Sequence, residues 1–110
     1  VENSEILAWL GPAIGPDAFE VGDEVRQQFM QHDHRAEQAF KRHGSHKENQ
    51  KWLCNMYLIA QQHLNKLGVT QIYGGSVNES FCTYTDEARF FSFRRDNVTG
   101  RMASLIWLDN

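Results

Sequence analysis

The segment Arg89-Phe90-Phe91-Ser92-Phe93-Arg94-Arg95, followed closely by Arg101, concentrates four of the chain's eleven basic residues into thirteen positions. A guanidinium offers a planar fork of N–H donors that matches carboxylate or phosphate oxygens. Read as a strand, the segment sends Arg94 and Arg95 to opposite faces, so one can enter a pocket while the other meets solvent or a carboxylate. Phe91 and Phe93 then share a face with Arg95, and Phe90 and Ser92 share the other with Arg94. Aromatic rings beside cations also suit stacking on nucleobases. A buried hairpin with surface arginines satisfies the same residues, and both readings stay open at this point.

Cys82-Thr83 precedes this basic segment. A thiol becomes a nucleophile when a base or positive charge lowers its pKa, and a small inert core residue otherwise. No base stands beside Cys82 in the sequence, and Cys54, inside Trp52-Leu53-Cys54, reads as core. His32, His34, His43 and His46 crowd into fifteen positions. A His-x-His pair on a strand would aim both rings at one face and suit zinc or copper. Here the stretch reads as helix end plus loop, where side chains two apart diverge, so the histidines read as solvated. His63 falls on the polar side of a helix. The loop Gly11-Pro12-Ala13-Ile14-Gly15-Pro16 could turn backbone N–H groups toward an anion. It lacks the Gly-Lys-Ser/Thr ending of a P-loop, and reads equally as a strand exit stiffened by two prolines.

These residues need elements to place them. Ile6-Leu7-Ala8-Trp9-Leu10 is a short apolar run halted by Gly11-Pro12, which predicts a core strand. Asp23 is read as the N-cap of a helix of about ten residues, with Val25 and Phe29 as its inward stripe. A second short helix is expected after His34, with Ala36, Ala39 and Phe40 inward, and residues 42–50 are read as loop. Lys51 to Cys54 predicts a short strand. Asn55 then caps a helix whose Tyr57, Ala60, Leu64 and Leu67 recur at helical spacing, with Gly68 as its left-handed stop. Residues 69–73 read as a strand ended by Gly74-Gly75, and 76–80 as a polar loop. Residues 90–95 and 102–108 are expected to form a hairpin across Asp96-Asn97-Val98-Thr99-Gly100.

Whole-chain quantities bound what these elements can build. The 110 residues are one domain or a piece of one. Hydrophobic residues make up 41% and charged residues 23%, an ordinary globular balance that argues against disorder. No apolar run is long enough for a transmembrane helix. Residues 1–5 are polar and slightly acidic, so no signal peptide is expected. The net charge of −3 weighs against a general nucleic-acid or anionic-membrane binder, though not against a local basic patch. Two cysteines are too few for a disulfide scaffold and point to a reducing compartment, hence the cytoplasm. The chain starts at Val1 and enters an apolar strand almost at once, so we expect the C-terminal part of something longer.

Several of these segments together resemble one family. Ala8-Trp9-Leu10-Gly11-Pro12-Ala13-Ile14-Gly15-Pro16 running into Phe19-Glu20-Val21-Gly22 resembles the bacterial laccase-domain family. That family is also called multicopper polyphenol oxidase or YfiH-like, and purine nucleoside phosphorylase. Leu67-Gly68-Val69, Cys82-Thr83, Phe91-Ser92-Phe93-Arg94-Arg95-Asp96, Thr99-Gly100-Arg101 and the closing 102–108 run fit it in order. The resemblance implies an α+β fold, part of a mixed β-sandwich core flanked by helices. It covers only the family's C-terminal half. The family's metal site, two histidines and a cysteine, lies in the N-terminal half in motifs such as Asp-Cys and Ala-His-Ala-Gly-Trp-Arg-Gly. Neither of those occurs here, so no metal ligand is assigned to this chain. Asn55 stands where the family often has aspartate.

The implied protein is a zinc- or copper-dependent enzyme acting on purine nucleosides, by phosphorolysis and by adenosine deamination, with phenol oxidation as an older label. In it, Arg94, Arg95 and Arg101 would hold phosphate oxygens and Cys82-Thr83 would line the same cleft. Its partners would be purine nucleoside, phosphate and the missing N-terminal half. The competing reading is a non-catalytic fragment or partner-binding module. A nucleic-acid module resting on the arginine and phenylalanine segment is the weakest alternative, because the chain is acidic.

Overall fold

In the computed structural model, residues 2–44, 49–75 and 82–106 are described. The expectations for His46, for residues 45–48 of the 42–50 loop, for the 76–80 loop, and for Trp107-Leu108 at the end of the final run lie outside them.

Among the described residues, two small sheets and three α-helices make the fold α+β, as expected. The first sheet pairs β1 (Leu7–Leu10) with β5 (Gln71–Gly74) in parallel, Leu7 against Gln71 and Trp9 against Tyr73. A parallel pair needs a long crossover, and the whole middle of the chain supplies it. Alternation turns Ala8, Leu10 and Ile72 inward and leaves Leu7, Trp9 and Tyr73 on the outer face. Gly74 closes β5 at φ 80°, and a Cβ there would collide with the Leu10 carbonyl, so the register ends on a glycine for two independent reasons.

The second sheet is antiparallel, ordered β2-β4-β3, with β2 at Glu20–Gly22, β3 at Phe40–His43 and β4 at Lys51–Cys54. Val21, Trp52 and Arg42 lie directly opposite one another across it, and Phe40 opposes Cys54. Residues opposite each other share a face. Val21, Phe40 and Cys54 on that face join Ala36 and Ala39 in the core, against which Phe19, Val25, Met30, Trp52, Leu58 and Ile59 pack. Ala36 and Ala39 come from a 3-10 helix at His34–Ala39, started by the Asp33 carboxylate accepting from the Arg35 amide.

Helix α1 runs from Asp23 to His32 and α2 (Met56–Lys66) follows β4. Asn55 caps α2 by accepting from the Leu58 amide at 3.1 Å, and Gly68 (φ 87°) stops it, both as read from the sequence. At α1 the cap is Gly22 rather than Asp23. Asp23 is the first helical residue, and its carboxylate instead accepts from the Trp52 indole.

Two further expectations fail. Arg42 and His43 belong to strand β3, not to a loop, because β4 pairs with them through Trp52 and Lys51. The final hairpin is absent from residues 90–106. The buried Ser92 side chain accepts from the Arg95 amide at 3.3 Å and starts the short helix α3 (Phe93–Asp96). Asn97 then turns the chain at φ 62°, and residues 97–106 run on without a strand partner. A serine cap and a left-handed asparagine are turn chemistry of a kind that serves a helix end as well as a hairpin.

Candidate functional site

The predicted site residues fall into one cluster and two outliers. Cys82 forms an isolated parallel bridge with Ala13, and the Thr83 amide donates to the Ala13 carbonyl at 3.0 Å. This ties the basic segment's approach to the glycine-proline loop. The Gly15 amide in turn donates to the Cys82 sulfur at 3.0 Å. A Cβ on Gly15 would press on that sulfur at 3.3 Å, so glycine eases the close approach. Burial alone would push the Cys82 thiol up. Hydrogen bonds from the Thr85 side chain and from the Gly15, Thr85 and Tyr84 amides together outweigh it and hold the thiol below its ordinary value. Successive amides aimed at one atom favour negative charge there. Nearby, the Tyr57 hydroxyl donates to the Gly11 carbonyl at 3.1 Å, and burial raises its pKa.

Arg95 belongs to this cluster as a clamp. Its Nη1 donates to the Thr83 and Tyr84 carbonyls at 2.9 and 3.1 Å, and its Nη2 to the Phe90 carbonyl at 3.1 Å. Nε and Nη2 also grip Asp96. All three nitrogens are engaged, so the side chain holds the turn after Cys82 in shape. The Asp96 carboxylate is held below its usual value chiefly by that guanidinium.

Arg94 and Arg101 point elsewhere. Arg94 donates from Nη1 to the Glu20 carbonyl at 2.9 Å and lies 5.0 Å over the Phe19 ring. Arg101 lies 5.4 Å over Phe93. Arg94 and Arg95 thus diverge, as a strand would have made them do, although the backbone is helical.

A second constellation was not legible in the sequence. Trp52 on β4 carries the Arg26 guanidinium 4.3 Å over its ring and Arg42 at 5.8 Å. Its indole N–H donates to Asp23 Oδ1 at 2.9 Å, which fixes the ring's orientation. Asp23, Glu24, Arg26, Arg42 and Lys51 join Trp52 in lining a cleft of about 830 Å³, so acids and bases meet there. Residues 23–26, 42 and 49–52 meet only through α1 packing on the sheet and through the β3–β4 pairing. A spacing of 26 positions between Arg26 and Trp52 gives no local signal.

The histidines are separate. His43 Nε2 sits 3.3 Å from a Glu20 carboxylate oxygen, while His32, His34 and His63 are exposed. Among the described residues, no three His, Cys, Asp or Glu side chains converge as a metal set would. The described residues therefore do not fit a metal centre. Among the described residues no helix is long and apolar enough to cross a membrane.

Comparison with known proteins covers nearly the whole chain. A family model described as multi-copper polyphenol oxidoreductase laccase matches residues 1–109. An Escherichia coli K12 protein named purine nucleoside phosphorylase YfiH is 56% identical over 108 residues, covering 97% of this chain and 41% of the relative. A Haemophilus influenzae protein named purine nucleoside phosphorylase is 51% identical over 105 residues, 96% of this chain and 41% of its own length. The crystal structure of a Neisseria meningitidis protein described under the family model DUF152 superposes with a TM-score of 0.84 at 44% identity. It covers all of this chain and 42% of that one. The chain spans about two-fifths of the length of these relatives.

Proposed function

This chain belongs to the multi-copper polyphenol oxidoreductase laccase family, and we propose that it is the C-terminal portion of a metal-dependent purine nucleoside phosphorylase. The observation that carries the reading is the 51–56% identity, over nearly the whole chain, to relatives named for that activity. In phosphorolysis a phosphate oxygen bonds to C1′ of the nucleoside, the C1′–N9 bond breaks, and the purine leaves with a proton. Adenosine deamination is proposed as a second activity of the same pocket. The metal, zinc or copper, would be held by the part of the relatives that this chain does not span.

This chain's share of the pocket is proposed to be the wall at Cys82-Thr83. Arg95 acts there as a positioning residue, because its nitrogens are engaged with the turn it shapes. Arg94 and Arg101 are proposed as phosphate contacts away from that wall, because Arg94 reaches toward Glu20 and Arg101 toward Phe93, and fixed positive charge favours a transferred anion. The cytoplasm is the proposed compartment.

Surface supports the idea of a portion. The chain exposes 8548 Å², against about 6,200 Å² for a folded monomer of this mass. Its radius of gyration is 15.7 Å, against about 13 Å for a compact domain of this length. Leu7, Trp9 and Tyr73 lie side by side on the outer β1–β5 face, 65%, 66% and 58% exposed. Such a face is what the other part of a longer relative would cover, completing the expected mixed β-sandwich.

The test is product analysis with the longer protein that carries these residues, given inosine with and without inorganic phosphate. Release of hypoxanthine and ribose 1-phosphate that depends on phosphate supports the proposal. Absence of ribose 1-phosphate, with or without free base, overturns it.

A further inference from the structure

The Cys82-Thr83 wall does not hold its shape alone. It leans on the loop at residues 11–16 through the Ala13–Cys82 bridge, the Thr83 amide on the Ala13 carbonyl, and the Gly15 amide on the Cys82 sulfur, the last two at 3.0 Å. Whatever fixes that loop therefore fixes a donor that the sulfur meets. Gly11 and Gly15 lie in the loop, and glycine loses more conformational freedom on ordering than any other residue. An anchor from outside the loop offsets that cost.

Tyr57 supplies one. It stands in the first turn of α2, whose start is fastened twice. The Asn55 amide donates to the Ala39 carbonyl at 2.8 Å, and the Asn55 side chain accepts from the Leu58 amide at 3.1 Å. From that base the Tyr57 hydroxyl donates to the Gly11 carbonyl at 3.1 Å, across 46 positions of sequence. Burial raises the Tyr57 pKa, a hydrogen bond from the Ala13 amide opposes this, and the Cys82 charge raises it further. One phenol oxygen thus engages both residues that flank Pro12, and it senses the sulfur. The ring is held from behind by Gly75 at φ 69°, where a Cβ would run into it. As part of the apolar stripe of α2, Tyr57 would need only its ring, and a phenylalanine would serve. The hydroxyl acts on the loop instead.

We propose that Tyr57 is a positioning residue of the pocket: its hydroxyl holds residues 11–15 where the Gly15 amide meets the Cys82 sulfur and the Ala13 carbonyl meets Thr83. The part of this claim that concerns the thiol stands by itself. The part that concerns the pocket rests on the reading of Cys82-Thr83 as the nucleoside wall.

Tyr57→Phe is the test, because the ring and its seat on Gly75 stay while the hydroxyl goes. In the full chain, iodoacetamide labelling of Cys82 is followed against pH by peptide mass, and amide exchange by ¹H–¹⁵N spectra. The pH midpoint for Cys82 should rise by at least about 0.5 unit, which is about threefold less thiolate below the midpoint. Exchange at the Gly15 and Thr83 amides should quicken at least about tenfold. The Cys54 amide, which donates to the Phe19 carbonyl at 2.9 Å, should quicken far less, and Cys54 should stay unlabelled. A phenol that only stabilises the fold would speed all three amides equally and expose Cys54, and that result overturns the proposal. So does an unmoved Cys82 midpoint. In the longer protein that carries these residues, Tyr57→Phe should raise the KM for inosine at least about threefold with a smaller change in kcat, as a displaced binding wall does. A shifted Cys82 midpoint with KM unchanged overturns Tyr57's place in the pocket. A wild-type protein without phosphate-dependent turnover overturns the phosphorylase reading instead, and the thiol and exchange measurements then decide the role of Tyr57.

Discussion

At the scale of single residues, the two cysteines show how environment decides chemistry that residue type leaves open. Cys54 is 1% exposed and burial pushes its thiol up to about 11. At pH 8 that leaves about one thiolate in a thousand, so Cys54 is inert. Cys82 is partly exposed, and its amide and Thr85 hydrogen bonds hold the thiol below its ordinary value. Iodoacetamide at pH 7.5, read by peptide mass, should label Cys82 and leave Cys54 unmodified in the native chain. The pH midpoint for Cys82 should lie below that of a free thiol, and Thr85→Val should raise it. Equal labelling of both thiols, or a midpoint above the free value, would contradict this environment. The sequence reading correctly put Cys54 in the core. It could not see the low Cys82 value, because the Thr85 side chain and the amides reach the sulfur only in the folded turn, and Gly15 does so from 67 positions away. The same limit applies to Arg95, whose type suggests a ligand fork but whose partners are carbonyls brought near by folding.

At the scale of elements, what was legible is what is local. β1, β4, β5 and the ends of α2 carry their signals within a few residues: an apolar run before Gly11-Pro12, Asn55 as a cap, Gly68 as a stop. Strand β2 was missed because Glu20-Val21-Gly22 is too short to alternate and exists only by pairing with β4. The last segment was misread because Ser92 starts and Asn97 ends a helix here, and both would suit a hairpin elsewhere. The Asn55 cap gives a direct check. Asn55→Ala should lower unfolding free energy by about 1 kcal/mol in urea titration, while Asn55→Asp should restore it. A loss with alanine that aspartate fails to recover would mean that packing at residue 55, and not the cap, does the stabilising.

At the scale of the whole molecule, the exposed Trp9–Tyr73 face, the large surface and the extended dimensions belong to one pattern. A chain that matches about two-fifths of its relatives keeps their backbone course, with a TM-score of 0.84 against the Neisseria meningitidis structure. Its buried cluster is small and centred on Val21, Ala36, Ala39, Phe40 and Cys54. Function read from sequence therefore rested on ordered motifs shared with a family, while the arrangement of side chains around Trp52 needed the fold. The most direct test of the central claim is a chimera in which these residues replace the matching 41% of the Escherichia coli relative. The quantity to measure is phosphate-dependent release of free purine base from inosine. If these residues are part of a phosphorylase, the chimera folds and retains this activity within about tenfold of its parent, a loss of no more than about 1.4 kcal/mol in transition-state stabilisation. A chimera with the parent's circular dichroism and elution volume but no phosphate-dependent release would contradict it.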